Sequence, residues 1–239
     1  MRTTTIKFAS VAATFVTAMA FSVPAATADD EPAPPCTTPS EATVDGTQGT
    51  NGNDIIYGTE GDDTINGLGG DDTICGLGGN DIINGGNGND FILGGLGNDV
   101  IHGGNGDDQV VGGDFSGEPG NPDAKPDDGN DQLSGDDGND FVTGQKGADS
   151  ISGGNGDDEL FGGPGNDTVN GDNGNDLLLG NFGNDTLNGG NGDDLIDGDN
   201  SGDNGPTPDP HPNSDTCNGG SGHDTDAFCE SETSIESHF

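Results

Sequence analysis

A nine-residue period runs through most of the chain. Glycine recurs every nine residues from Gly49 to Gly112 and, after an interruption, from Gly135 to Gly198. With each of these glycines taken as position 1, the chain contains 16 units that end at Asn218. Position 6 is Asp in all 16 units, position 4 is Gly in 15, and position 8 is Ile, Val or Leu in 15. Such self-similarity at a short, fixed period predicts a solenoid in which each unit packs only against its neighbours.

Each unit combines a turn with a short strand. Positions 1–6 are rich in Gly and Asn, which accept positive φ at low energetic cost, so these residues form a turn. Positions 7–9 form a minimal strand in which side chains alternate, and the apolar residue at position 8 therefore faces the interior. Because a tight turn after each strand reverses the chain, odd and even units should fall into two facing parallel sheets. Two units, or about 18 residues, then make one coil of an all-β solenoid.

Stacking of the coils brings the aspartates at position 6 together. Turns two units apart stack at the inter-strand spacing of about 4.8 Å, which places Asp54 near Asp72 and Asp63 near Asp81. At an effective dielectric constant near 20, two carboxylates about 5 Å apart repel each other by roughly 3 kcal/mol, so the columns need cations. Ca²⁺ is the best candidate, because it accepts six to eight oxygen ligands in flexible geometry, whereas Mg²⁺ requires a stricter octahedron.

The alternative is that these aspartates only form Asx-turns, but turn chemistry alone does not require a carboxylate in every unit. The position-6 aspartates that form these columns are Asp54, Asp63, Asp72, Asp81, Asp90, Asp99, Asp108, Asp131, Asp140, Asp149, Asp158, Asp167, Asp176, Asp185, Asp194 and Asp215.

The composition also indicates a chain that depends on cations. Among 239 residues there are 48 Gly, 45 Asp or Glu and 4 Lys or Arg, which gives a formal net charge of -41. Low hydrophobicity with high net charge predicts disorder unless another source supplies folding free energy, and metal binding coupled to folding is such a source. The scarcity of Lys and Arg argues against nucleic acids and anionic membrane surfaces as partners.

The consensus Gly-x-x-Gly-x-Asp-x-apolar-x, with Gly at position 2 in seven units, closely resembles the repeats-in-toxin (RTX) calcium-binding nonapeptide. The resemblance covers Gly49 to Asn218. It implies a right-handed parallel β-roll in which the position-6 Asp and backbone carbonyls from two stacked turns hold each calcium ion. Two columns of turns would then hold up to about 14 ions at the coordination expected of Ca²⁺.

The first 28 residues have the features of a cleaved secretory signal. Arg2 and Lys7 precede an apolar stretch at residues 8–23, and Ala26 and Ala28 supply the small residues of a cleavage site. A membrane anchor is the alternative, but this stretch is shorter than the roughly 20 apolar residues that a membrane span needs. We therefore expect a secreted, extracellular chain that starts at Asp29.

Short segments flank and interrupt the repeat domain at 49–218. Residues 29–48 are expected to form an N-terminal cap and residues 219–239 a C-terminal cap. Insertions rich in Pro, Gly and Asp lie near residues 114–127 and 201–212. Both fall in even units, so both loops should emerge from the same edge of the roll. They are either tolerated loop growth at an exposed turn or a pair of recognition loops.

The chain has four cysteines, which allow three pairings. Cys75 and Cys217 lie about six coils, or some 30 Å, apart, which excludes a disulfide between them. Pairing Cys36 with Cys75 and Cys217 with Cys229 would staple the two ends of the solenoid in an oxidising compartment. The alternative is that some of the thiols stay free.

The sequence favours a binding protein over an enzyme. The flanks of 20 and 21 residues are too short for a catalytic domain, no His-Glu-x-x-His or Gly-x-Ser-x-Gly motif occurs, and the histidines are scattered. We expect a monomeric calcium-binding protein whose roll folds on binding extracellular calcium. One alternative is a cell-surface or matrix adhesion protein that uses the roll as a rigid spacer. Another is an acidic calcium sequestrant that stays unfolded.

Overall fold

The computed structural model describes residues 47–113, 129–199, 215–227, 229 and 231–233. The predicted signal peptide, almost all of the predicted N-terminal cap and both predicted insertions lie outside these residues. Within the described ranges every regular element is a β-strand, and they contain no helix with the length and apolar character that a membrane crossing requires.

Eighteen strands alternate between two parallel sheets of nine strands each. The odd sheet contains β1 (Ile55–Tyr57), β3 (Thr73–Gly78), β5 (Phe91–Leu96), β7 (Gln109–Val111), β9 (Phe141–Thr143), β11 (Glu159–Pro164), β13 (Leu177–Phe182), β15 (Leu195–Asp199) and β17 (Thr225–Ala227), in that order. The even sheet contains β2 (Thr64–Asn66), β4 (Ile82–Asn87), β6 (Val100–Asn105), β8 (Gln132–Asp137), β10 (Ser150–Asn155), β12 (Thr168–Asn173), β14 (Thr186–Asn191), β16 (Thr216–Ser221) and β18 (Ser231–Thr233). This alternation confirms the predicted all-β parallel roll.

The strand register confirms the coil length. Ile56 pairs with Ile74 and Ile65 with Ile83, in each case 18 residues further along the chain. The offset grows where the insertions interrupt the repeat. Asp99 and Asp131, which are hydrogen-bonded in adjacent coils, are 32 residues apart, and Asp185 and Asp215 are 30 residues apart. Both interruptions fall in connections from an odd strand to an even strand, β7 to β8 and β15 to β16, so they leave the roll at the same edge.

The core is a single row of side chains from each sheet. All 16 residues at position 8 are buried between the sheets, from Ile56 at one end to Cys217 at the other. Burial of an aliphatic side chain stabilises a fold by about 1.5–3 kcal/mol, so this narrow core contributes modestly for so long a chain. The prediction that position 8 faces inward is confirmed.

Most strands are longer than the three residues that the repeat predicts, because they continue through the start of the next turn. Position 2 adopts a left-handed φ in most units, whether it is Gly86 (115°), Leu68 (79°) or Leu77 (81°). This residue bends the chain while the ladder to the next coil continues, as in the pairing of Gly154 with Asp172. The bend therefore lies within the strand rather than after it.

The outer surfaces of the two sheets differ in polarity. Positions 7 and 9 point away from the core, since they flank the inward position 8. On the even sheet they are mostly Thr, Ser, Asn and Gln. On the odd sheet they include Ile55, Tyr57, Phe91, Leu93, Val111, Phe141, Phe161, Leu177, Leu179 and Leu195. The side chains outside the roll are therefore segregated into one apolar and one polar face.

The roll extends beyond the 16 repeat units at both ends. Gln48 forms an isolated parallel bridge with Asn66 before the first unit. After Asn218, β17 pairs with β15 and β18 pairs with β16, so each sheet gains one more strand. The expected C-terminal cap thus continues the ladder of both sheets.

Disulfides attach to both ends of the roll. Cys217 and Cys229 form the predicted bond, with their Cα atoms 5.9 Å apart. Cys75 is also disulfide-bonded, and its predicted partner, Cys36, lies outside the described residues.

The left-handed backbone at position 2 predicts that substitutions there change the stability of the folded roll. Leu68 holds a φ of 79° and is 45% exposed, so glycine relieves conformational strain there with little loss of packing. We expect Leu68→Gly to raise the free energy of unfolding of the folded roll by about 0.5–1 kcal/mol in urea titrations. The reciprocal change Gly86→Leu, at the same position one coil on, should lower it. A lower stability for Leu68→Gly would contradict this reading of the turn.

Candidate metal centre

The position-6 aspartates form two columns along the roll. Oδ1 of each Asp accepts the backbone N–H of the Asp one coil earlier, as Asp72 does from Asp54 at 2.9 Å. Fifteen such bonds, of 2.7–3.2 Å, connect successive coils along the two columns. One column contains Asp54, Asp72, Asp90, Asp108, Asp140, Asp158, Asp176, Asp194 and Asp224, and the other contains Asp63, Asp81, Asp99, Asp131, Asp149, Asp167, Asp185 and Asp215. The structure thus brings all 16 predicted site residues into two continuous rows.

The columns are buried within the turns. All the predicted aspartates except Asp63 are buried, and most are no more than 3% exposed. In eleven aspartates of the columns the second oxygen, Oδ2, is shielded from solvent and accepts no hydrogen bond: Asp72, Asp81, Asp90, Asp99, Asp108, Asp140, Asp158, Asp167, Asp176, Asp194 and Asp224. A buried polar atom without a partner costs roughly 1–3 kcal/mol, and a charged one costs more. A row of such oxygens is suited to cations, which supply both a partner and the opposite charge.

The first aspartate of each column is different. Oδ2 of Asp54 accepts the backbone N–H of Thr50 at 2.6 Å and its hydroxyl at 2.8 Å. Oδ2 of Asp63 accepts the same two groups of Thr59, at 2.6 Å and 2.9 Å. Threonine at position 2 therefore satisfies these two carboxylates within the protein, and the demand for an external partner begins in the next coil.

Glycine at position 1 leaves a small space between adjacent coils. A methyl group at Gly153 would collide with Oδ2 of Asp158 and would lie 2.9 Å from the carbonyl oxygen of Gly171, one coil further on. The same pair of oxygens surrounds position 1 in the coil after, where Asp176 Oδ2 and the carbonyl oxygen of Gly189 lie beside Gly171. A carboxylate oxygen of one coil and a carbonyl oxygen of the next therefore converge on a space that only glycine leaves open.

Side chains alone do not complete a cation site. Among the described residues, no three His, Cys, Asp or Glu side chains converge in the manner of a side-chain metal cluster. Any ion in the columns must therefore take most of its ligands from backbone carbonyls of the turns. An all-oxygen donor set of this kind suits a hard divalent cation, and it does not suit zinc, which prefers nitrogen and sulfur.

Burial raises the pKa of ten column carboxyl groups above their ordinary value of 3.8. The pKa rises to about 8 at Asp108 and to about 7 at Asp140, Asp167 and Asp176. Desolvation is the main cause at each of them; the backbone N–H bond to Oδ1 lowers the pKa, and neighbouring carboxylates raise it further. Without a cation, these four carboxyl groups are substantially protonated near neutral pH.

A second ladder, at position 5, was not predicted from the sequence. There the side-chain oxygen of an Asn or Asp accepts the backbone N–H of position 5 one coil later, as Asn53 does from Asp71 at 2.9 Å. The same bond recurs along both edges, for example from Asn98 to Asn80 at 2.9 Å. The near-constant choice of Asn or Asp at position 5 was the available signal. This ladder holds the turns in register beside the carboxylate columns.

Asp224 is a site residue that the sequence interpretation did not include. It occupies position 6 of a seventeenth turn, is 4% exposed, and its Oδ1 accepts the backbone N–H of Asp194 at 3.2 Å. The sequence contains the glycine pattern of a further turn from Gly219. Position 8 of that unit is Asp226 and not an aliphatic residue, so the pattern predicts that the repeat ends at Asn218. The carboxylate column therefore continues one turn beyond the apolar core.

The family comparison matches this geometry. A family model described as the RTX calcium-binding nonapeptide repeat (4 copies) matches residues 48–83, 84–117, 127–160, 134–169, 143–178 and 170–204. The chain belongs to the RTX calcium-binding nonapeptide repeat family. The RTX match spans both sheets and nearly the full length of the two columns. No curated protein matches the chain by overall sequence.

The position-1 glycine of an RTX turn gives a direct test of the space between coils. Gly153→Ala should weaken divalent-cation binding, because its methyl group would fill the space shared by Asp158 and Gly171. The matched control is Gly61→Ala, where the nearest atom to the added methyl is the Thr59 hydroxyl oxygen at 3.9 Å. Isothermal titration should show fewer ions bound to Gly153→Ala and an unchanged isotherm for Gly61→Ala. Equal binding by both variants would exclude this space as the cation site.

The raised pKa values predict how the metal-free chain responds to pH. Carboxyl groups whose pKa is higher in the folded state bind more protons there, so their contribution to stability grows as pH falls from about 8 to about 4. In the presence of a chelator, far-UV circular dichroism should therefore show more β-structure at about pH 5 than at about pH 8. Loss of β-structure on acidification over that range would contradict the burial of the columns.

Proposed function

We propose that this RTX chain is a secreted calcium-binding protein whose roll folds when Ca²⁺ enters the two carboxylate columns. The observation that carries the proposal is the row of buried Oδ2 atoms that accept no hydrogen bond, nine of which share the space beside a position-1 glycine with a carbonyl oxygen of the adjacent coil. Membership of a calcium-binding repeat family agrees with this reading. The acidic composition supports it independently, because a chain with a net charge of -41 needs neutralisation to become compact.

Calcium is favoured over magnesium by the donor set. The turns offer carboxylate oxygens and backbone carbonyls in a chain of repeated, slightly different geometries, from Gly-rich turns to those with Leu68 or Asp136 at position 2. Ca²⁺ tolerates six to eight oxygens in irregular arrangements, whereas Mg²⁺ holds its waters and demands near-ideal octahedral geometry. Repeats of variable sequence are therefore better suited to the larger ion.

Each position of the repeat contributes a separate part of the binding. The position-6 Asp supplies charge and one carboxylate oxygen, while its other oxygen stays bonded to the preceding coil. The glycine at position 1 leaves the space open and contributes its carbonyl oxygen. The side chain at position 5 holds the stacked turns in register. Bound Ca²⁺ supplies positive charge between carboxylates that would otherwise repel. Binding and folding are coupled because the unfolded chain holds none of these oxygens together.

The proposed stoichiometry follows from the stacked turns. The position-6 residues of the 16 repeat units give up to about 14 ions, one between each pair of stacked turns, and Asp224 adds one further turn to one column. Asp54 and Asp63 already have threonine partners, so the first turn of each column should bind least tightly.

An extracellular, non-catalytic role completes the proposal. Extracellular calcium modules work with dissociation constants of about 10⁻⁴–10⁻³ M, which allows a chain to stay unfolded where calcium is scarce and to fold where it is abundant. The dominant chemical groups of the chain are carboxylates built into structural turns, which supports binding rather than catalysis. The sequence hypothesis of a rigid adhesive spacer is compatible with the same folded roll.

The experiment is a calcium titration of the chain from Asp29, followed by far-UV circular dichroism, with magnesium as the ionic control. We expect a cooperative coil-to-β transition with Ca²⁺ that a chelator reverses, and little change with Mg²⁺. In Asp108→Asn the midpoint should shift to several-fold higher calcium, because this change removes a buried column carboxylate.

Asp107→Asn is the matched control. Asp107 is the exposed neighbour of Asp108 in the same turn, the charge change is identical, and Asn already occupies position 5 in many units. Its midpoint should stay near that of the unchanged chain. Calcium binding without any gain of ordered structure would replace this proposal with the unfolded sequestrant. Equal shifts for both variants would show that general charge, and not the columns, controls folding.

A further inference from the structure

The apolar outer face of the odd sheet is most densely packed near its N-terminal end. On β1, β3, β5 and β7 the outward residues Ile55, Tyr57, Phe91, Leu93 and Val111 surround Cys75. We call these five side chains the N-terminal apolar patch. Cys75 lies between Tyr57 and Leu93 in the strand register, at the centre of the patch.

This part of the outer face is more buried than the strands beside it explain. Cys75, Leu93 and Val111 point away from the core, yet they are only 0%, 5% and 2% exposed. Phe161 and Leu179 occupy the same outward position further along the sheet and are only half-buried. No described strand lies over the odd sheet, so a segment outside the described residues is the candidate cover for this part of the face.

The disulfide at Cys75 favours the segment before the roll over the insertion near residues 114–127 that follows Val111. Cys75 is bonded, and of the chain's four cysteines Cys217 and Cys229 are bonded to each other. Cys36 is therefore the remaining partner for Cys75. A bond between these two cysteines would bring residue 36 to the outer face of the odd sheet.

We propose that residues 29–46, the N-terminal arm, lie across the N-terminal apolar patch and cover it, anchored by a Cys36–Cys75 disulfide. The proposal goes beyond calcium binding, because it concerns the outer face of the folded roll and not the columns.

The chemistry of the arm suits this surface. Pro32, Pro34, Pro35 and Pro39 lie on either side of Cys36, so the segment favours an extended polyproline II conformation. Proline-rich segments of this kind bind to surfaces lined by aromatic side chains, and they lose little conformational entropy on binding. Tyr57 and Phe91 supply the aromatic rings beside Cys75.

The length of the arm is sufficient. The ten residues between Cys36 and Thr47 can span up to about 33–36 Å, whereas β3 is only about 5 Å from the edge strand β1. Residues 29–35, at about 3.1 Å per residue, extend roughly 22 Å beyond the disulfide. That distance covers about four strand spacings, enough to reach Val111 on β7.

Charge also favours this location. The arm begins with Asp29, Asp30 and Glu31, and the chain has a formal net charge of -41. The outward positions of β1, β3, β5 and β7 carry no acidic residue, whereas Glu159 and Asp197 occupy such positions on β11 and β15. The N-terminal part of the odd sheet is therefore the section of this face that repels an acidic arm least.

Tyr57 provides a specific probe, because the chain has one Tyr and no Trp. We measure acrylamide quenching of its fluorescence in the calcium-loaded chain and in the double variant Cys36→Ser/Cys75→Ser. The proposal predicts a several-fold larger quenching constant in the double variant, since release of the arm exposes the ring. The control variant Cys217→Ser/Cys229→Ser loses the other disulfide and should leave Tyr57 quenching unchanged.

A second variant keeps the disulfide and alters only the arm. Pro34→Gly/Pro35→Gly should raise Tyr57 quenching while the far-UV spectrum and the calcium midpoint stay those of the unchanged chain. These two readouts separate a failure of the arm from a failure of calcium-coupled folding. Peptide mapping without reduction should recover Cys36 joined to Cys75. Unchanged Tyr57 quenching in both arm variants, or a different partner for Cys75, would overturn the proposal.

Discussion

The roll depends on bringing carboxylates close together inside it. Each position-6 Asp uses one oxygen to hold the backbone of the previous coil, so the side chain that tightens the stack also carries the charge that opposes it. A neutral residue could accept the same N–H, but it could not hold a cation. Under the proposed function, this dual use makes the folded state conditional, with the coils closing when protons or metal ions neutralise the columns. The thin aliphatic core and the unusually acidic composition are both understandable in a protein whose folding free energy comes partly from bound ions.

The backbone of the turns supplies the oxygen atoms and the open space that the side chains alone do not. Glycine at position 1 opens the space beside each carboxylate, and the left-handed residue at position 2 bends a strand that remains paired with its neighbour. Position 5 adds a ladder of side-chain oxygens that runs in the opposite direction to the one at position 6. The two ladders hold adjacent turns from both sides, so the spacing of the carbonyl and carboxylate oxygens is set by the stack as a whole. Ligand geometry is therefore a property of pairs of coils and not of any single repeat.

Much of this architecture could be predicted from the nine-residue period, and the rest shows where such a period fails. Position 8 and position 6 are nearly invariant, so the buried row from Ile56 to Ile196 and the two columns followed directly from the spacing. The contrast in polarity between the odd and even sheets could not be predicted in this way. A nine-residue repeat averages over both sheets, and only a comparison of residues 18 apart separates them. Phe91 and Val100, for example, occupy the same position in the unit but lie on opposite faces of the roll. Asp224 was missed because Asp226 broke the aliphatic pattern, although the turn and the column depend on the backbone and the carboxylate alone. Strands such as β3 proved longer than predicted, since Leu77 within it adopts a left-handed conformation that propensity alone would not assign to leucine.

The count of calcium ions bound at saturation tests the central claim most directly, because it reports on the columns themselves rather than on the folding they cause. Equilibrium dialysis of the folded chain against calcium should give a stoichiometry near the number of stacked pairs of turns, about 14 ions per chain. A folded roll that binds only one or two ions would contradict the account, since it would leave most of the buried carboxylate oxygens without the partner on which the structure is argued to depend.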